Sequence, residues 1–84
     1  MKIIDIKKLG TGETRTDGRY PSRIGCTVEL EFEPSIGECM YLIYLKDNVG
    51  NDKSGILRTS LVQNIERNGQ QLIVTTLNSI FILE

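Results

Sequence analysis

"CTVELEFEPSIGECMYLIYLK", Cys26 to Lys46, alternates so regularly that it decides the class of the fold. Cys26, Val28, Leu30 and Phe32 share one side of an extended chain, and Thr27, Glu29, Glu31 and Glu33 share the other. Such a strand rests one face on a core and gives the other to water. Pro34 to Gly37 has proline where a turn wants a preset φ and glycine at its close, which predicts a tight hairpin. With Ser35 and Ile36 as the loop, Phe32 faces Cys39, Leu30 faces Tyr41, Val28 faces Ile43 and Cys26 faces Leu45.

Two expectations follow from that register. Cys26 and Cys39 share a face but lie too far apart along the ladder for a disulfide, so both read as reduced core thiols. Met40, Leu42 and Tyr44 fall on the opposite face among glutamates and need a cover. Either another segment of the same chain packs over them or they form a homodimer seam.

Outward from this hairpin, periodicity favours strands nearly everywhere. "KIIDIKKL" is a short first strand, "ILRTSLVQNIER" a fourth and "QQLIVTTLNSIFILE" a fifth. Asn68-Gly69 between the last two predicts a type I′ turn, which needs positive φ at both positions. Residues from about 10 to 24 form a long loop, within which Asp17-Gly18 reads as a turn and Tyr20-Pro21 as an extended step. The 84 residues therefore make one all-β domain, a five-stranded antiparallel barrel, SH3-like first and OB-like second.

Charge is unevenly spread. Residues 1 to 23 hold six Lys or Arg against three acids, and residues 24 to 84 hold four against eight. No continuous basic face of the kind duplex DNA requires is expected. A local site for a small anion is compatible with the basic first segment. The apolar runs are too short to cross a bilayer and the first residues are charged, which predicts a cytoplasmic protein without a membrane partner.

Recognition chemistry gathers in "DGRYPSRIG", Asp17 to Gly25, and in two short polar runs. The pairing about Asn68-Gly69 brings Arg58, Thr59 and Ser60 beside Asn78 and Ser79, where the alternation slips as it would at a bulge or bend. These groups either hold a phosphate, carboxylate or base edge, or tie down backbone freed at a barrel corner. Arg19 and Arg23 likewise either clamp the loop or form, with Tyr20, half of an anion site that Arg58 completes. Catalysis is not expected: the chain has no histidine, most glutamates lie on a solvated strand face, and "GTGETRTDG" lacks the spacing and lysine of a P-loop. No cofactor or metal is expected either, since neither a CxxC pair nor a full calcium loop occurs.

"RYPSRIG", "RTS" and the terminal "TxNSIFxLE" resemble a group of small proteins encoded by bacteriophages and mobile elements of Gram-positive bacteria. The resemblance covers most of the chain from Arg19 onward. It implies an anti-defence role, among whose forms are sponges for cyclic nucleotide immune signals. The reading of this chain is therefore a non-catalytic homo-oligomer that sequesters an anionic nucleotide. Its alternative is a module that inhibits a host protein through Met40, Leu42, Tyr44 and the acidic face.

Overall fold

Alternation drives almost every segment outside the loops into strand. A computed structural model describes residues 1–84. It contains β1 (Ile3–Lys8), a helical turn α1 (Tyr20–Arg23), β2 (Thr27–Leu30), β3 (Cys39–Lys46), β4 (Ile56–Asn68), β5 (Gln71–Thr76) and β6 (Ser79–Leu83). The strands form one antiparallel sheet in the order β1-β6-β5-β4-β3-β2. Its outer strands meet at one end, where Lys2 bridges Thr27. There the Gly25 N–H donates to the Ile3 carbonyl at 2.7 Å and the Val28 N–H to Met1 at 2.8 Å. The result is a curled sheet around Ile3, Ile6, Val28, Met40, Leu42, Val62, Val74, Phe81 and Leu83.

Six strands replace the expected five because the run after Asn68-Gly69 folds back at Leu77-Asn78. That turn contains no glycine. The Thr76 hydroxyl organises it instead, accepting from the Asn78 N–H at 3.3 Å and the Ser79 N–H at 3.1 Å and donating to the Ser79 carbonyl at 3.2 Å. One threonine thus satisfies backbone groups that a regular turn would pair.

The register of β2 with β3 differs from expectation by one residue. Val28 faces Tyr44 and Leu30 faces Leu42. The PSIG segment is not a two-residue turn: Glu31 to Glu38 connects the strands, and its end bonds β4, Gly37 N–H to Val62 O and Val62 N–H to Glu38 O, both at 2.8 Å. A shift of one reverses every side chain of β3. Met40 and Leu42 are consequently core residues, 1% and 0% exposed, which removes them from any surface interface. Their cover is intrachain. Tyr44 is half-buried, while Cys39 turns away from the face that holds buried Cys26; both thiols are free.

Two further corrections concern turns. Asn68 pairs with Gln71, so Gly69-Gln70 makes the β4–β5 turn. Positive φ occurs only at glycines, with Gly69 at +63°, so the turn has the II′ pattern rather than I′. Tyr20-Pro21 is helical rather than extended, with Pro21 in a first turn whose N–H groups have no partner within the helix anyway.

β4 is bent by two register shifts. Between Tyr41, paired with Arg58, and Cys39, paired with Leu61, the single residue Met40 opposes Thr59 and Ser60. The Met40 N–H donates to Thr59 Oγ1 at 3.0 Å, and that hydroxyl donates to the Ser60 carbonyl at 2.8 Å. A second shift lies between Val62 and Asn64. These bulges let one strand of 13 residues serve both halves of the sheet.

Candidate anion-binding site

The RTS bulge on β4 and the Thr76–Ser79 turn are adjacent, and the loop carrying α1 lies over them. Tyr20, Arg23, Arg58, Thr59, Ser60, Asn78 and Ser79 all line one pocket of about 90 Å³, together with Leu57, Thr76 and Phe81. Seven of the eight residues singled out from the sequence therefore converge. Arg19 is the exception. It lines a neighbouring groove of about 410 Å³ with Ser22, Arg23, Tyr44, Asp47, Asn48, Lys53, Ile56 and Leu57. Arg23 and Leu57 border both spaces.

The hydroxyls in the pocket divide into two kinds. Thr59 and Thr76 are spent on backbone, as the corner reading expects. Ser60 Oγ and Ser79 Oγ are buried and have no hydrogen-bond partner, although Ser79 is only 1% exposed. The one other buried side-chain atom without a partner is Arg15 Nε. Arg15 stacks on Tyr20, 4.6 Å from the ring centroid, and donates to the Asn78 carbonyl, so two pocket residues are held by it. The two unmatched serine hydroxyls thus line the pocket, and Arg15, which does not line it, adjoins it through Tyr20 and Asn78. Unmatched buried donors are rare in folded chains and mark a strain reservoir, an unseen water or a ligand position.

Arg15 answers the question of which arginine clamps the loop. Its side chain is 19% exposed and pairs with Asp17 at 3.0 Å while holding Asn78. Arg23 also lies near the same ring, 5.6 Å from its centroid. The chain's ion pairs are Arg15–Asp17, Lys46–Asp52 and Arg67–Glu33, so Arg19, Arg23, Lys53 and Arg58 are not neutralised by any carboxylate. Arg58 pairs with Tyr41, which places it on the outer face of the sheet at the pocket's edge.

Tyr44 lines the groove. Lys53 sits 4.9 Å from its ring, and burial pushes its phenol above the ordinary range, opposed by the charge of Arg23. Asp47, the groove's one acid, accepts from the Asn51 N–H at 2.9 Å and the Val49 N–H at 3.0 Å, and these bonds, Asn51 first, hold its carboxyl below the usual range. Its charge is committed to its own loop. Arg15, Lys53 and this role of Tyr44 were not legible in the sequence, because each depends on how a loop folds back: Lys53 arrives through the Lys53 N–H bond to Leu45 O at 3.1 Å.

The inner pocket has room for several waters or one tetrahedral oxyanion. The groove falls within the ~300–1,000 Å³ of small-molecule sites. The two together offer a charged body and a polar inner end. No set of three or more His, Cys, Asp or Glu side chains converges as a metal site, and no helix is long and apolar enough to cross a membrane. No protein-family model, curated protein or solved structure matches this chain.

Proposed function

We propose that the chain is a non-catalytic binding protein whose groove and inner pocket hold an anionic nucleotide signal. The observation that carries this reading is the pair of unmatched buried hydroxyls, Ser60 and Ser79, in one small pocket that Arg23 also lines, next to a groove with Arg19 and Lys53; none of these three cations has an ion pair. A phosphoryl group fits the pocket's size and accepts hydrogen bonds from serine and arginine donors. Tyr20 and Tyr44 each line one of the two spaces with a cation already over the ring, so a base stacks on whatever ring surface the cations leave, and Arg23 borders both spaces. The resemblance of "RYPSRIG", "RTS" and "TxNSIFxLE" to small phage and mobile-element proteins adds the biological part of the proposal, counter-defence in the host cytoplasm. Within all-β folds we favour an SH3-like barrel: β2 to β6 run as a consecutive meander and β1 lies beside β6.

Thermal denaturation in the presence of cyclic di- and trinucleotides tests the reading. A ligand at about 100 times its dissociation constant adds ~2.7 kcal/mol, a rise of several degrees for a chain of this size. Arg23→Ala is expected to abolish that rise and to leave the unliganded melting temperature within a degree or two. Absence of a rise with every nucleotide sinks the proposal. Recovery of a cleaved nucleotide after denaturing the complex would replace binding with hydrolysis.

A further inference from the structure

The reversal of β3 that buries Met40 and Leu42 turns Tyr41, Ile43 and Leu45 outward. Across the ladder from them stand Ile56, paired with Ile43, and Glu29, paired with the same residue on the other side. Ile56 is 56% exposed and Leu45 41%. Phe32, 65% exposed, meets Tyr41 edge to face at 6.3 Å between ring centroids. Beside this pair a groove of about 420 Å³ opens between the Glu31–Glu38 connection and the start of β3, with Glu33 and Glu38 on its walls. No part of the chain covers this face, and a contiguous apolar surface rimmed by charge marks an interaction site.

Charge selects the occupant. Glu29, Glu31 and Glu38 are exposed and have no ion pair, and Glu33 has only the exposed Arg67 at 3.3 Å. Two cations are in register with the face: Arg58, opposite Tyr41, and Lys46, opposite Thr27 and already paired with Asp52. Nucleic acid and anionic lipid headgroups are repelled by such a rim. A second copy of the chain is disfavoured as well: an isologous contact sets the same patch against itself, glutamates against glutamates. We propose that this face binds a segment of another protein that presents apolar side chains between lysines or arginines. The aromatic pair Phe32–Tyr41 takes the apolar anchor, and the carboxylates of Glu29, Glu31 and Glu38 take the flanking cations. This face borders the anion groove at Ile56 and the inner pocket at Arg58, but its anchor, Phe32 with Tyr41, and its carboxylates lie in neither.

Amide chemical-shift mapping of the full chain with a short peptide of alternating lysine with leucine or phenylalanine, and with its glutamate counterpart, tests the inference. The basic peptide is expected to move the signals of Phe32, Tyr41, Ile43, Leu45 and Ile56, and to bind at least tenfold more weakly when salt is raised from low to high. Glu29→Lys with Glu31→Lys should weaken it a further tenfold or more. Phe32→Ala, at an exposed position that the core does not need, should weaken it several-fold, which a purely ionic association would not show. Equal binding of the glutamate peptide, shifts centred on Tyr20 and Arg23, indifference to Phe32→Ala, or concentration-dependent shifts of the same residues without any peptide would each overturn it.

Discussion

Two long connections flank this small sheet, and they are fastened by different means. Gly10 to Gly25 is held by the Arg15 N–H bond to Ile6 O at 2.8 Å, by Thr14 donating to Asp5 at 3.1 Å, and by the Arg15 side chain reaching Asn78. Glu31 to Glu38 is held by two backbone bonds to Val62, and its one ionic contact, Glu33 with Arg67, is exposed on both partners. The first spends an arginine on its own attachment, which leaves Arg19 and Arg23 free of that duty. The second spends no side chain of importance, and it presents glutamates and Phe32. One connection thus carries arginines without an ion pair and the other glutamates without one, although the net charge is only −1.

The contrast depends first on the register of β3, which decides what each side presents. Leu42→Ala is expected to lower the unfolding free energy by roughly 2–5 kcal/mol in urea titrations, and Ile43→Ala by less than about 1.5 kcal/mol. Equal losses would mean that β3 sits one residue over, with Met40 and Leu42 on the acidic side.

Next in size is the attachment of the first connection. Arg15→Ala should cost about 1–3 kcal/mol and speed amide exchange within residues 10–25, since it leaves the Asn78 carbonyl without its charged donor. Arg23→Ala should do neither. If both arginines cost the same, the division between a clamp and a free group fails.

Tyr44 offers a smaller effect with a definite sign. Its phenol is raised by burial, so the stability it contributes is present below the ordinary value of about 10 and is lost as pH rises through the folded value. Tyr44→Phe should remove this alkaline loss, and Arg23→Ala should push the phenol higher still, because the cation opposing burial is gone. Ultraviolet absorbance of the phenolate reads both. The smallest change is expected at the second connection: Arg67→Ala should cost ~0–1 kcal/mol, the ordinary worth of an exposed pair.

The strand content and the meeting of "RTS" with "NS" were legible because each rests on robust signals. From Asn64 to Asn68, β4 pairs with β5 two residues away from the alignment that an Asn68-Gly69 loop would give, which keeps side chains on their faces; at Val62 the bulge makes the offset one, and Asn78 and Ser79 leave β5, so they meet "RTS" across the pocket rather than in the ladder. The β2–β3 register was not legible. Met40 through Leu45 is apolar at both parities, so alternation in β2 fits either alignment of β3, and "PSIG" has turn residues without being the hairpin. The sixth strand was missed for a related reason: Leu77-Asn78 carries no glycine, and the hydroxyl of Thr76 that makes the turn is one of many threonines in strands. Nothing local separates Arg15, the clamp, from Arg19 four residues later.

The pairing of β1 with β6 sets Ile3 against Leu83, nearly the whole length of the chain apart. During synthesis β1 emerges before β6 and until then has only the isolated bridges of Lys2 to Thr27 and Lys7 to Thr14. Contacts between such distant residues close slowly, because the intervening chain must be ordered before they form. Ile3 and Ile6, both fully buried in the end, are therefore exposed to other molecules for longer than any other part of the core.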